Sequence, residues 1–191
     1  MNFNLSNYRY TNDWFSPCEL KNNLYRFVDT SAKRNMLEIG SYEGLSACFF
    51  SENFLDHPES TLICVDPFDL SDVTTPLTDM TKENFLFNIR NSKNASKITL
   101  KDTYSNKFFP ENKEKFDIIY IDGTHLEADI IHDMTEADKV LKSGGIMWMD
   151  DYMGGNIANG NIRKTMDGFV EENKARYQVI HKGYQLALRK L

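Results

Sequence analysis

Three cysteines and five prolines are all that the 191 residues contain, and no apolar run approaches the roughly 18 residues that a membrane-spanning helix requires. Cys18, Cys48 and Cys64 lack the paired spacing of a metal knuckle, and two of them stand in apolar segments where a reduced, buried thiol is expected. A disulfide-stapled scaffold is therefore excluded, and a reducing, cytoplasmic compartment is expected. Residues Met1 to Thr11 are rich in Asn and Tyr rather than in apolar groups, which does not read as a secretory leader. An excess of basic charge is missing too. Lys and Arg number 22 against 28 Asp and Glu, a formal charge of −6, so neither nucleic acid nor a membrane surface is an expected partner.

What is present is enough chain for one substantial core, and a single domain over 1–191 is expected. Five short segments read as strands: Asn35 to Ile39, Leu62 to Val65, Ile98 to Leu100, Phe116 to Ile121 and Ile146 to Met149. Most are nearly continuous apolar runs, the pattern of strands covered on both faces by helices, and this argues for a mostly parallel sheet. Helical spacing is read in Glu43 to Phe54, Thr81 to Arg90, Leu126 to Leu141 with an end at Gly144, and Ile162 to Lys174. The stretch Lys107 to Lys115 reads as a solvated loop. Two last strands, Tyr177 to His181 and Tyr184 to Arg189, are joined by only Lys182 and Gly183, too short a link for a helical crossover, so that pair must be antiparallel.

Open parallel sheets bind ligands beyond the carboxyl ends of their strands, and the unusual polar residues fall there. The first strand runs into Glu38-Ile-Gly40-Ser41-Tyr42-Glu43-Gly44. Its two glycines are four apart, which disfavours the Gly-x-Gly-x-x-Gly pyrophosphate cradle, and Glu38 suits a cationic or amino-bearing ligand. The second strand ends Asp66-Pro67-Phe68. A carboxylate there can accept from a ribose diol, or cap a loop; Phe68 can face an adenine ring, or join the core.

These motifs resemble the class I S-adenosylmethionine-dependent methyltransferases, in particular the macrocin-type branch of sugar and antibiotic O-methyltransferases, over about Asn35 to Leu188. The resemblance implies an α/β, Rossmann-like fold with a mostly parallel seven-stranded sheet and a C-terminal antiparallel hairpin. It implies that Glu38, Gly40 and Gly44, with Ser41 and Tyr42, line the methionine part of the cofactor. Asp66, with Pro67 and Phe68, would meet the ribose and adenine; Asp102 and Ser105, after the third strand, would lie near the adenine, with Asp122 completing the pocket.

Asp122, Asp150 and Asp151 close two strands expected to be neighbours, and clustered like charges either raise a pKa or recruit a cation, here a hard one such as magnesium or calcium. The resemblance implies a divalent metal, expected to be Mg2+, at these three positions, helping to activate a small hydroxylated acceptor such as a sugar or catechol-like compound. Relatives with an aspartate two residues after the first acid use it as base; here that position is Thr124, and His125, next to it, is the candidate base or else a support for a carboxylate. Tyr8, Tyr10, Trp14 and Phe15 make 1–30 an N-terminal lid or a packing and dimer arm. A metal-independent methyltransferase, a related metal-dependent hydroxylase and a non-catalytic binding protein are the alternatives, and a homo-oligomer is compatible with all of them.

Overall fold

The computed structural model describes residues 3–69, 80–154 and 162–191. A seven-stranded sheet runs through it: β1 (Asn35–Ile39), β2 (Thr61–Val65), β3 (Ile98–Lys101), β4 (Phe116–Ile121), β5 (Leu141–Met149), β6 (Tyr177–Lys182) and β7 (Leu186–Lys190), in the order β3-β2-β1-β4-β5-β7-β6. The first five strands are parallel to one another, and β7 is antiparallel to both β5 and β6. The expected architecture is thus the one found. The helices are α1 (Leu20–Asn23), α2 (Leu45–Phe54), α3 (Thr81–Asn91), α4 (Ser105–Glu111), α5 (Glu127–Val140) and α6 (Ile162–Glu172).

Strand side chains alternate between faces, and this splits the core in two. Met36, Leu62, Cys64, Ile118, Tyr120, Ile146 and Trp148 share one cluster. Leu37, Ile39, Ile63, Val65, Ile119, Ile121, Met147 and Met149 share the other. The first face carries α2, whose residues are buried nearly all round its circumference. A helix apolar on every side needs a cover on its outer side too, and the N-terminal arm supplies it: Phe3 and Phe15 pack on Phe49, and Tyr25 stacks on Phe54. Tyr8, Phe15, Leu20, Leu24 and Val28 are buried in the same cluster. The arm is therefore core over much of its length, although Tyr10 and Trp14 stay exposed.

Two expectations are corrected. Residues 107–111 of the supposed solvated loop belong to α4, because Phe108 and Phe109 turn inward and bury against the second cluster. The helix expected over Leu126 to Leu141 is α5, but Gly144 does not end it: the helix stops at Val140, and β5 begins at Leu141 with no intervening loop. Gly144 instead lies inside β5 at φ +77°, a bend that only the strand's early, exposed part has to make. The glycine-rich segment Tyr152 to Asn161, which its sequence marks as a loop ahead of α6, lies outside the described residues after Gly154.

Candidate active site

The carboxyl ends of β2, β1, β4 and β5 stand side by side, and they carry Asp66, Glu38, Asp122 and Asp150 in that order. Gly40 shows how tightly the middle pair approach. It takes φ +82°, and a Cβ there would lie 1.9 Å from the carbonyl oxygen of Asp122. Only glycine lets the turn after β1 lie against the turn after β4.

The turn is braced from β2. One Asp66 carboxylate oxygen accepts the backbone N–H groups of Ser41 (2.7 Å) and Tyr42 (2.8 Å), and the other accepts that of Phe68 (2.6 Å). Burial raises the Asp66 pKa above the ordinary carboxylate value in spite of those bonds. Tyr42 and Phe68 take φ +48° and +52°, a costly geometry for side chains with a Cβ. Phe68 packs edge-on against Phe85, and Pro67 is half-buried beside it. Asp66 therefore braces the turn, the loop-capping role that its strand-end position left open.

Glu38 is fully buried, with one carboxylate oxygen accepting the Ser41 hydroxyl at 2.6 Å and the other without any hydrogen-bond partner. Burial pushes its pKa up to about 7, against lowering by Ser41, Ser46 and Cys64. An orphaned buried oxygen beside a glycine turn fits a ligand that brings a donor to it. Asp102 is exposed and ion-paired with Lys82, and its charge adds to the rise of the Asp66 pKa. Ser105 opens α4 and bonds the buried Asp133, whose carboxyl burial pushes up to about 6. Asp133, which spacing on a polar helix face did not single out, comes 3.6 Å from the Cβ position of Gly123.

At the other end the acids do converge. A small cleft, open to solvent, is lined by Asp122, Thr124, His125, Asp150 and Asp151 together with α6 side chains Ile162 and Met166. Register explains the grouping. Tyr120 pairs with Trp148 on β5, so Asp122 and Asp150 lie opposite each other two residues on, on the face that carries Tyr120. The Tyr120 hydroxyl reaches both carboxylates, 3.0 Å from Asp122 and 2.6 Å from Asp150. A phenol has one proton, so the second contact requires a proton on a carboxyl group. Asp122 fits that need: burial first, then the charges of Asp150 and Asp151, raise its pKa well above the ordinary range. The Cys18 thiol, from the arm, lies 3.4 Å from the same Asp150 oxygen.

Asp151, one residue on, takes φ +53° and turns aside. Its oxygens meet His125 Nε2 at 2.7 Å and accept the Tyr184 hydroxyl at 2.5 Å. Burial opposes ionisation of Asp151, but the bonds from His125 and Tyr184 prevail and hold its pKa below the usual value. Among the described residues, no group of three or more His, Cys, Asp or Glu side chains is arranged to hold a metal ion. The donor set expected for magnesium therefore does not fit as the side chains stand. Tyr120 and Tyr184 were not anticipated; a phenol two residues before a strand-end acid, on the same face, was the available signal for the first.

Residues 37–152 match the model of a methyltransferase domain family. The chain belongs to this methyltransferase family. No curated protein sequence gives a significant match. Among solved structures, the O-methyltransferase TomG from Streptomyces achromogenes, involved in tomaymycin synthesis and bound to SAM, is 20% identical with a TM-score of 0.62, over 90% of this chain and 78% of its own. An O-methyltransferase from Bacillus cereus in complex with SAH is 16% identical with a TM-score of 0.59, over 82% of this chain and 74% of its own. A TDP-rhamnose 3′-O-methyltransferase of calicheamicin biosynthesis is 16% identical with a TM-score of 0.60, over 88% of this chain and 77% of its own. At these identities the likeness is one of fold, and the methyltransferase shares with them the class I architecture. No helix among its described residues is long and apolar enough to cross a membrane.

Proposed function

We propose that this methyltransferase transfers a methyl group from S-adenosylmethionine to a hydroxyl of a small acceptor, a sugar or catechol-like compound. The observation that carries the reading is the row of carboxyl ends in a sheet of order β3-β2-β1-β4-β5-β7-β6, with an orphaned Glu38 oxygen at the glycine turn and an acidic pocket at the ends of the next two strands, β4 and β5. When bound, S-adenosylmethionine supplies a methyl carbon made electrophilic by its sulfonium. Glu38 and the Gly40–Gly44 turn would hold its amino-acid end, and Asp66, which keeps that turn in shape, would lie on the ribose side. His125 takes the acceptor's hydroxyl proton, and Asp151 fixes the imidazole by its bond to Nε2, the arrangement by which a carboxylate sets a histidine tautomer.

Calorimetric titration with S-adenosylmethionine and S-adenosylhomocysteine tests the donor half. Binding is expected, together with its loss in Glu38→Ala; a chain that folds and binds neither compound would overturn the reading. Incubation with labelled donor and a panel of sugars and catechols, read by product mass, tests the acceptor half. Methylation on oxygen is the expected result, and methylation only on nitrogen or carbon would refute that half.

A further inference from the structure

The three acids that the resemblance marks for a cation are committed to other partners, and the partners are specific. The Tyr120 oxygen lies 3.0 Å from Asp122 and 2.6 Å from Asp150. An ion shared by two carboxylates would sit between them, at about 2.0–2.6 Å from each donor, and that is the space the phenol fills. Tyr120 cannot swing away easily, because its ring is fully buried and packs edge-on against Phe50. Three of the four remaining oxygens are occupied as well. Asp150 Oδ1 accepts the N–H of Asp151, and Asp151 meets His125 and Tyr184 with one oxygen each. Five of the six carboxylate oxygens thus already hold a hydrogen-bond partner. The Cys18 thiol closes the arm side of Asp150.

We propose that in this methyltransferase the Tyr120 hydroxyl takes the place of a divalent cation between Asp122 and Asp150, so that the acidic pocket works without metal and admits one only when that hydroxyl is removed. The inference rests on the reading of the pocket as the acceptor end of a methyltransferase site. It assigns Tyr120 the part of a positioning residue: it joins two carboxylates that would otherwise repel, and leaves Asp151 to hold His125.

The test is Mn2+ binding to the full chain, followed by water-proton relaxation and by calorimetry, with and without saturating S-adenosylhomocysteine. The unaltered protein is expected to bind no Mn2+ at the pocket in either condition. Tyr120→Phe removes the bridging oxygen while keeping the ring, and it is expected to acquire one Mn2+ with a Kd on the order of 0.1–1 mM; adding Asp122→Asn to it should abolish that binding. One Mn2+ bound by the unaltered protein and lost in Asp122→Asn would overturn the proposal. So would a folded Tyr120→Phe that gains no affinity, since the hydroxyl would then not be what keeps the ion out. Should Tyr120→Phe fail to fold, the comparison of the unaltered protein with Asp122→Asn still decides the metal-free claim. Binding of S-adenosylhomocysteine is read in the same titrations, so failure of the donor reading is seen separately from failure of this one.

Discussion

Glu38 concentrates the conflict between stability and binding in one side chain. It is fully buried with an oxygen unpartnered, and burial lifts its pKa from 4.5 to about 7. The folded state therefore keeps a proton that the unfolded chain releases near pH 4.5, and stability must fall as pH rises between those values. The loss is on the order of 3 kcal/mol once both forms are ionised. Urea unfolding of the protein and of Glu38→Gln between pH 4.5 and 8 checks it: the difference in stability should move in favour of the variant across that window and flatten above it. Equal pH dependence in the two proteins would mean that Glu38 ionises without cost. A second contrast belongs to glycine. Gly40→Ala drives a methyl group into the Asp122 carbonyl as well as adopting a strained φ, and should cost on the order of 3 kcal/mol or more. Gly144 has a similar φ of +77° with nothing within 4 Å, so Gly144→Ala should cost about 1–2 kcal/mol. Denaturant midpoints of the two variants would order them; a reversed order would refute the contact argument.

Among elements, the decisive junction is that of the arm with the turn after β1. Glu43 is fully buried and accepts the Thr11 N–H (2.6 Å), the Thr11 hydroxyl (3.1 Å) and the Asn84 side-chain amide (2.7 Å). Tyr42 joins it by its hydroxyl, bonded to Thr11 and Asn12, and by its ring, stacked on Trp14 at 4.6 Å. One carboxylate thus ties the arm, α3 and the turn together. Glu43→Gln puts an amide N–H where a donor already points, and a buried donor–donor encounter costs about 1–3 kcal/mol. Faster hydrogen exchange at residues 9–12, with exchange in β4 and β5 unchanged, is the expected outcome. Exchange rising equally throughout would mean that Glu43 supports the whole fold rather than this junction.

The same junction marks what the sequence makes legible. Strands β1 and β4 are readable to the residue because covered parallel strands are apolar throughout, and the short Lys182-Gly183 link leaves only a hairpin. The α4 helix is not, because its apolar content is two adjacent phenylalanines among Lys, Asn and Glu, too short for a period to declare itself. In the site, strand-end position locates Asp66, Asp122, Asp150 and Asp151, while which way each carboxylate turns depends on partners from distant segments. Asp66 faces amides of the β1 turn, and Asp151 faces a tyrosine of the hairpin. Long-range hydrogen bonds of this kind leave no local pattern, so the gathering of acids was readable and their division of labour was not.

Across the whole molecule, the arm decides whether the chain unfolds as one unit. Its buried residues belong to the cluster that holds Trp148, and Leu20 donates its N–H at 2.6 Å to Gln185, whose side chain also accepts from the Trp148 indole at 2.9 Å. Glu19 adds bonds to His181 and to the Gln185 N–H. The first thirty residues are therefore fastened to the last strands of the sheet as well as to its first turn, and the interaction spans both ends of the chain. A core shared in this way should melt cooperatively. Trp148 is buried and Trp14 exposed, so indole fluorescence reports chiefly on the shared core, and its denaturant transition should coincide with that of far-UV circular dichroism. Removal of residues 1–30 strips the outer cover from α2 and leaves Phe49 and Phe54 facing water. The truncated chain is expected to lose its cooperative transition. A remainder that unfolds sharply with the stability of the full chain would make the arm a detachable lid and refute its place in the core.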